Sequence, residues 1–250
     1  MDRNARFKGR RIYVTGAASG IGLATARILA EGGAALALVD VNEEGLKEAA
    51  VETGGRPIAV DLRDGAAIDR SVQNAAEDFG GLDGVLNCAG VAHGAGLGEL
   101  TPDEWDRVIA INLTAPYRVC RAALPFLREQ VGGSIVNVAS GVALLPAGPG
   151  ATAYVASKGG LISFTKALAA ELGPGIRANA VCPGIADTPM GASVLQRPGQ
   201  VDAEAFLARY ALKRAADASE IAEAIAFLIS DEASFITGIV LAVDGGRSFH

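Results

Sequence analysis

Tyr154 and Lys158 stand four residues apart in Tyr154-Val155-Ala156-Ser157-Lys158. On a helix that spacing puts a phenol and an ammonium on one face, about a turn apart. A free tyrosine titrates near ~10, so little phenolate is available at neutral pH. A fixed cation beside it favours the phenolate, at about 1.36 kcal/mol for each pH unit. Such a pair can accept the proton of an alcohol or, in reverse, give one to a carbonyl oxygen. A Tyr-x-x-x-Lys spacing is common by chance, so its weight depends on what surrounds it.

The second informative stretch is Thr15-Gly16-Ala17-Ala18-Ser19-Gly20-Ile21-Gly22, between an apolar run and a helical pattern. Its three glycines permit a tight turn, close approach of backbone to a pyrophosphate, and close helix–strand packing. The helix start beyond them offers free N–H groups and a positive dipole end to an anion. Asp40 follows Gly22 at close to the ~20-residue offset at which a carboxylate accepts hydrogen bonds from an adenosine ribose diol. That carboxylate would repel a 2′-phosphate. The next residue is Val41 rather than a basic one, and Ser19 brings no cation to the turn. The expected cofactor is therefore NAD (NADH), not NADP. The alternative reading of Asp40 is a cap for the helix that starts near Glu43.

The elements that must position these groups alternate along the chain. Apolar runs at 11–15, 34–39, 57–60, 82–87, 134–138, 176–181 and 239–243 read as strands. Helical periodicity covers 21–29, 43–53, 66–79 and 153–172, with Gly32-Gly33, Gly54-Gly55 and Gly80-Gly81 as stops. Thr101-Pro102-Asp103-Glu104 starts a long helical region that runs to about Gln130, which Pro116 and Pro125 must bend or interrupt. Residues 141–152 read as a loop. This alternation predicts an α/β fold: a Rossmann-type, doubly wound sheet of seven parallel strands with helices on both faces. A single domain over residues 1–250 is expected, with an apolar lid over 189–212.

Composition narrows the function classes. Of 250 residues, 50% are apolar and 32 are glycine, which excludes disorder and a disulfide scaffold and points to small-residue packing. A net charge of −6 makes nucleic acid and anionic membranes poor partners. The basic cluster Arg3, Arg6, Lys8, Arg10 and Arg11 reads as a solvated arm. Three cysteines at long spacing (Cys88, Cys120, Cys182) read as reduced thiols, small core residues of a cytoplasmic protein. No secretory signal and no membrane span is expected. With two histidines, no Gly-x-Ser-x-Gly elbow and no cluster at ligand spacing, neither a hydrolase nor a metal site is expected.

Taken with Asp61-Leu62, Asn87-Cys88-Ala89-Gly90, Asn112, Ser140, Pro183-Gly184 with Thr188, and Val243-Asp244-Gly245-Gly246, these motifs run in one order along nearly the whole chain. The sequence resembles the short-chain dehydrogenase/reductase superfamily, in its branch of about 250 residues. The resemblance implies that Ser140 polarises a substrate oxygen, Tyr154 transfers the proton, and Lys158 lowers its pKa and holds the nicotinamide ribose. It implies that Asn112 anchors a water relay to Lys158 and that Asp61 and Leu62 meet the adenine. It implies that Asn87, Ala89 and Gly90 shape the wall and that Thr188 binds the carboxamide side, with Ser19, Ile21, Pro183 and Ile185 completing the contacts. Cys88 stands where many relatives have a second Asn. The expected activity is reversible hydride transfer between NAD and a small secondary alcohol or ketone, with an apolar or cyclic substrate favoured by the 189–212 stretch. A 3-oxoacyl-(acyl carrier protein) reductase and a non-catalytic dinucleotide sensor are the rival readings. A homo-oligomer, tetramer or dimer, is expected.

Overall fold

In the computed structural model, which describes residues 5–92, 94–146, 150–195 and 202–248, all seven strands join one parallel sheet. The order is β3 (Arg56–Ala59), β2 (Ala35–Asp40), β1 (Arg11–Thr15), β4 (Gly84–Asn87), β5 (Gly133–Val138), β6 (Ile176–Pro183), β7 (Val240–Val243). Burial explains the sequence pattern. β4, β5 and β6 are buried at every position, and their polar residues Asn87, Ser134, Asn137, Arg177 and Asn179 are all hydrogen-bonded there. The edges β3 and β7 stay partly exposed, and only there does a strand carry a proline near its start, Pro57.

Side chains alternate between two cores. Ile12, Val14 and Leu38 pack on one face beneath α1 (Gly20–Glu31), α2 (Glu43–Thr53) and α9 (Ala218–Ile229). Tyr13, Val39 and Val85 pack on the other beneath α3 (Gly65–Phe79), α5 (Ala115–Arg128) and α6 (Thr152–Leu172). The chain steps outward from β1 to β2 and β3, then returns to place β4 on the other flank of β1. At such a reversal the loops leaving the carboxyl ends of the strands diverge and open a crevice. Arg11 locks the opposite ends of those two strands: its guanidinium and its backbone N–H all donate to Asp83, which holds that carboxyl below its usual range.

The structure corrects the sequence reading at four places. Helix α9 has no counterpart in the expected elements, although Asp217 and Glu220 form a reciprocal capping box ahead of Ile221, Ala222 and Ile225. Its far end is closed by the Arg177 guanidinium, which donates to the carbonyls of Leu228, Ile229 and Ser230. The long helical region divides into α4 (Pro102–Ile109), a π turn over Ala110–Thr114, and α5. Pro116 has no N–H for the carbonyl four residues back, and Ala115 instead donates five residues back, to Ala110. Pro125 does not interrupt α5, because the carbonyl it leaves free is that of exposed Arg121, where water can satisfy it. Nor is the described part of the basic cluster a free arm: Phe7 is buried, Arg6 pairs with Glu223 and Glu232, and Arg10 reaches the carbonyl of Gly132, while Arg3 lies outside the described residues. The expected lid divides into α7 (Pro189–Leu195) and α8 (Ala203–Leu207), and its residues 196–201 lie outside the described part.

Candidate active site

A continuous cavity of about 1090 Å³ lies along the carboxyl ends of the strands. Among the expected site residues, all border it except Asn87 and Asn112. The glycine turn forms one wall. Gly16 adopts φ +71°, and a Cβ there would stand 2.7 Å from the Ala89 nitrogen. A Cβ on Gly22 would strike the carbonyl oxygen of Gly16. Thr15 ties the turn to β4 by accepting, at Oγ1, the N–H groups of Cys88 (3.1 Å) and Ala89 (3.2 Å). Ser19 precedes α1 in extended conformation with no capping hydrogen bond from its side chain, so the first N–H groups of the helix are left for another acceptor.

Asp40 ends β2 at the rim of the cavity. Its carboxylate accepts from the Ala18 N–H at 3.2 Å and the Asn42 N–H at 3.1 Å. The cap of α2 is Asn42, which accepts from Gly45 N–H, so Asp40 is not that cap. Farther along the same wall Arg63 grips both oxygens of Asp61 and keeps that carboxyl low. The backbone of this end thus forms a cradle too tight for side chains, with an acidic group held at its rim. A nicotinamide dinucleotide fits those features.

The proton-transfer group sits mid-cavity. β5 delivers Ser140 just past its end, and α6 carries Tyr154 and Lys158 one turn apart. The Ser140 hydroxyl lies near enough to the Tyr154 phenol to lower its titration. Lys158 is buried, its ammonium donating to the Val138 carbonyl at 2.7 Å and lying 5.9 Å from the centroid of the Tyr154 ring. Burial dominates both titrations. It pushes the phenol above its usual range against the opposing influence of Ser140, and it pulls the lysine down to about 8. Burial therefore favours the protonated phenol in the ligand-free protein. Gly90 keeps this corner open, since a Cβ there would stand 3.3 Å from Lys158 Nζ and 3.4 Å from Asn112 Oδ1.

Asn87 and Asn112 stand behind the wall rather than in it. Asn87 Nδ2 donates to Asn137 Oδ1 (2.8 Å), and Asn137 in turn donates to Thr165 on α6, a buried chain that ties β4 and β5 to that helix. Asn112, in the π turn, accepts from Val91 N–H and donates to Val91 carbonyl, each at 2.9 Å, and to Ser157 Oγ at 3.0 Å. Ser157 passes the connection to the Tyr154 carbonyl at 2.8 Å. The Asn112 side chain therefore fixes the loop after β4 and the start of α6, and its amide is fully occupied in doing so. Sequence reading missed Val138, Asn137 and Ser157, whose parts depend on strands and helices brought together from far along the chain.

Beyond Tyr154 the cavity passes Pro183, Gly184 and Ile185, with Thr188 over the glycine turn near Gly20. Tyr210 is buried there, its hydroxyl accepting the Ile185 N–H at 3.3 Å, and its ring meets Phe206 at 5.9 Å between centroids. Val142, Met190 and Val194 complete apolar walls.

Known proteins resemble this chain in sequence and fold. The family profile described as Enoyl-(Acyl carrier protein) reductase matches residues 16–248. A 3-oxoacyl-(acyl-carrier-protein) reductase of Thermotoga maritima is 38% identical over 247 residues, covering 96% of this chain and 98% of that protein. A 4-formylbenzenesulfonate dehydrogenase of Comamonas testosteroni is 43% identical over 243 residues, covering 94% of this chain and 96% of that protein. The crystal structure of a 3-ketoacyl-(acyl-carrier-protein) reductase from Brucella melitensis complexed with NADH superposes with a TM-score of 0.91 at 35% identity, covering 97% of this chain and all of that one.

Proposed function

Because the chain belongs to the short-chain dehydrogenase/reductase family, an oxidoreductase family, we propose that it interconverts a secondary alcohol and a ketone with NAD(H) as its cofactor. The observation that carries this reading is the meeting of Ser140, Tyr154 and Lys158 in the middle of one cavity, beside the glycine cradle.

A bound nicotinamide dinucleotide supplies the hydride chemistry. The turn at Gly16, Gly20 and Gly22, with Ser19 and Ile21, would hold its pyrophosphate. Asp40 would take the adenosine ribose, Asp61 and Leu62 the adenine, and Ala89, Gly90, Pro183, Gly184, Ile185 and Thr188 the remainder. In ketone reduction the Tyr154 phenol, protonated at rest, gives its proton to the carbonyl oxygen while Ser140 orients that oxygen. In alcohol oxidation Tyr154 must first lose its proton, and Lys158 stabilises the resulting negative charge. Asn112 and Ser157 keep the α6 start from shifting, which keeps the phenol within reach of the substrate. The apolar walls at Val142, Met190, Val194 and Phe206 suit an apolar or cyclic substrate and exclude water from the reacting atoms.

NAD over NADP is supported by the Asp40 carboxylate, fixed by two backbone N–H groups, and by Arg63 being committed to Asp61 rather than offered to a 2′-phosphate. The NADH complex of the Brucella melitensis relative agrees with it. Reduction of a 3-oxoacyl thioester is the second reading, favoured by the likeness to the Thermotoga maritima reductase. Three unpaired cysteines support a reducing, cytoplasmic setting, and no helix among the described residues is long and apolar enough to cross a membrane. Exposed Phe235 and Ile239, beside edge strand β7, agree with a homo-oligomer.

A panel of cyclic, aromatic and aliphatic ketones and alcohols, polar sugars and acetoacetyl thioesters, followed by the reduced-nicotinamide absorbance with each cofactor, tests the reading. Turnover of apolar ketones with NADH is expected. Preference for sugars would overturn the substrate class, and preference for thioesters would install the second reading. Asp40→Ala should cut the NAD-over-NADP preference by about tenfold or more, as loss of charge-assisted hydrogen bonds does. An unchanged ratio would remove Asp40 from cofactor choice.

A further inference from the structure

The turn after β7 holds one more cation in the cavity wall. Arg247 is about 7% exposed and borders the cavity beyond Tyr154. One guanidinium nitrogen donates to the Leu145 carbonyl at 2.7 Å, on the segment that follows Ser140. The other terminal nitrogen is buried with no hydrogen-bond partner. Asp244, the nearest acid in sequence, makes no ion pair with it among those described. Its two carboxylate oxygens are taken by the N–H groups of Gly246, Arg247 and Ser248 and by the Ser248 hydroxyl. No other residue supplies Arg247 with an ion pair among those described.

A buried guanidinium without a counter-charge is costly, and native structures seldom leave one donor of the fork idle. The fork itself is shaped for an oxoanion, which it meets with two parallel N–H groups. From an Arg247 that borders the cavity with one buried guanidinium nitrogen unpartnered, we infer that Arg247 is a specificity-determining residue that receives a carboxylate or sulfonate on the substrate. The natural substrate is then a ketone or alcohol with an apolar body and one anionic end. This rests on the oxidoreductase reading and sharpens its substrate class, since the apolar walls hold the body while Arg247 takes the head.

Calorimetry on the NAD-loaded protein tests it without turnover, with 4-acetylbenzoate, 4-acetylbenzenesulfonate and the uncharged methyl 4-acetylbenzoate as probes. At least one anion should bind about tenfold or more tighter than the ester, the range of a charge-assisted hydrogen bond. Which anion wins distinguishes the carboxylate from the sulfonate. In Arg247→Gln the preference should fall to within about twofold while NAD affinity holds. In Arg247→Lys, which keeps the charge but not the fork, it should be intermediate, and this variant carries the test if the glutamine protein does not fold. Equal binding of acid and ester by the unaltered protein, no binding of either anion, or a preference that survives both variants overturns the inference. A protein that takes up no NAD at all in the preliminary titration fails the oxidoreductase reading instead, and the inference falls with it.

Discussion

Replacing Lys158 by Met should stabilise the ligand-free protein at neutral pH while destroying its site. Lys158 is about 3% exposed, titrates near 8 in the folded chain and has an unfolded reference of 10.5. At pH 7 both states are protonated, and the folded state bears the whole cost of burying the charge, about 3 kcal/mol at ~1.36 kcal/mol per pH unit. Met fills a similar volume without charge but leaves the Val138 carbonyl without its donor, which costs about 1–2 kcal/mol. The net expectation at pH 7 is a variant about 1–2 kcal/mol more stable than the parent. Between pH 8 and 10.5 the folded parent has released a proton that the unfolded chain still holds, so parental stability rises with pH. By pH 10 the burial cost is below about 1 kcal/mol and the variant's advantage has disappeared or reversed. Urea unfolding of both proteins at pH 7 and pH 10, at one protein concentration and without nucleotide, reads the difference. A stability gap that is the same at both pH values would refute the claim that Lys158 is held as a depressed, desolvated cation.

Other expectations follow from the same geometry. Ser140→Ala removes the hydroxyl that lowers the Tyr154 phenol, so the pH profile of alcohol oxidation should move to higher pH while ketone reduction loses rate without such a move; profiles that coincide with the parent would take Ser140 off the phenol. Gly16→Ala forces a side chain into left-handed backbone and against the Ala89 nitrogen, and dinucleotide affinity measured by fluorescence should fall at least tenfold. Asn112→Ala frees Val91 and Ser157, and should lower kcat about tenfold with little change in KM for the nucleotide; a KM effect alone would place Asn112 in binding.

What sequence alone could reveal follows a physical division. The strands, the glycine turn, Asp40 and the Tyr154–Lys158 pair were legible because period-two and period-3.6 patterns, tight turns and i,i+4 spacing are local. Helix α9 is legible in the same local way, through its capping box at Asp217 and Glu220 and the apolar spacing of Ile221, Ala222 and Ile225. The parts of Asn87 and Asn112 were not legible, since their partners Asn137, Val91 and Ser157 arrive through strand and helix packing. Nor does spacing reveal that Arg247 reaches Leu145, 102 residues away, or that burial raises the Tyr154 phenol. The glycine cradle and the buried lysine both sacrifice stability for a site, which is where local rules are expected to be broken.

The most direct test of the central claim compares Tyr154→Phe with the parent, measuring NADH binding by fluorescence and ketone reduction by absorbance in the same preparation. Loss of the proton donor should lower turnover by about 10²–10⁴-fold with NADH affinity within about twofold of the parent. A phenylalanine variant that reduces ketones at the parental rate would contradict the claim that this phenol carries the proton.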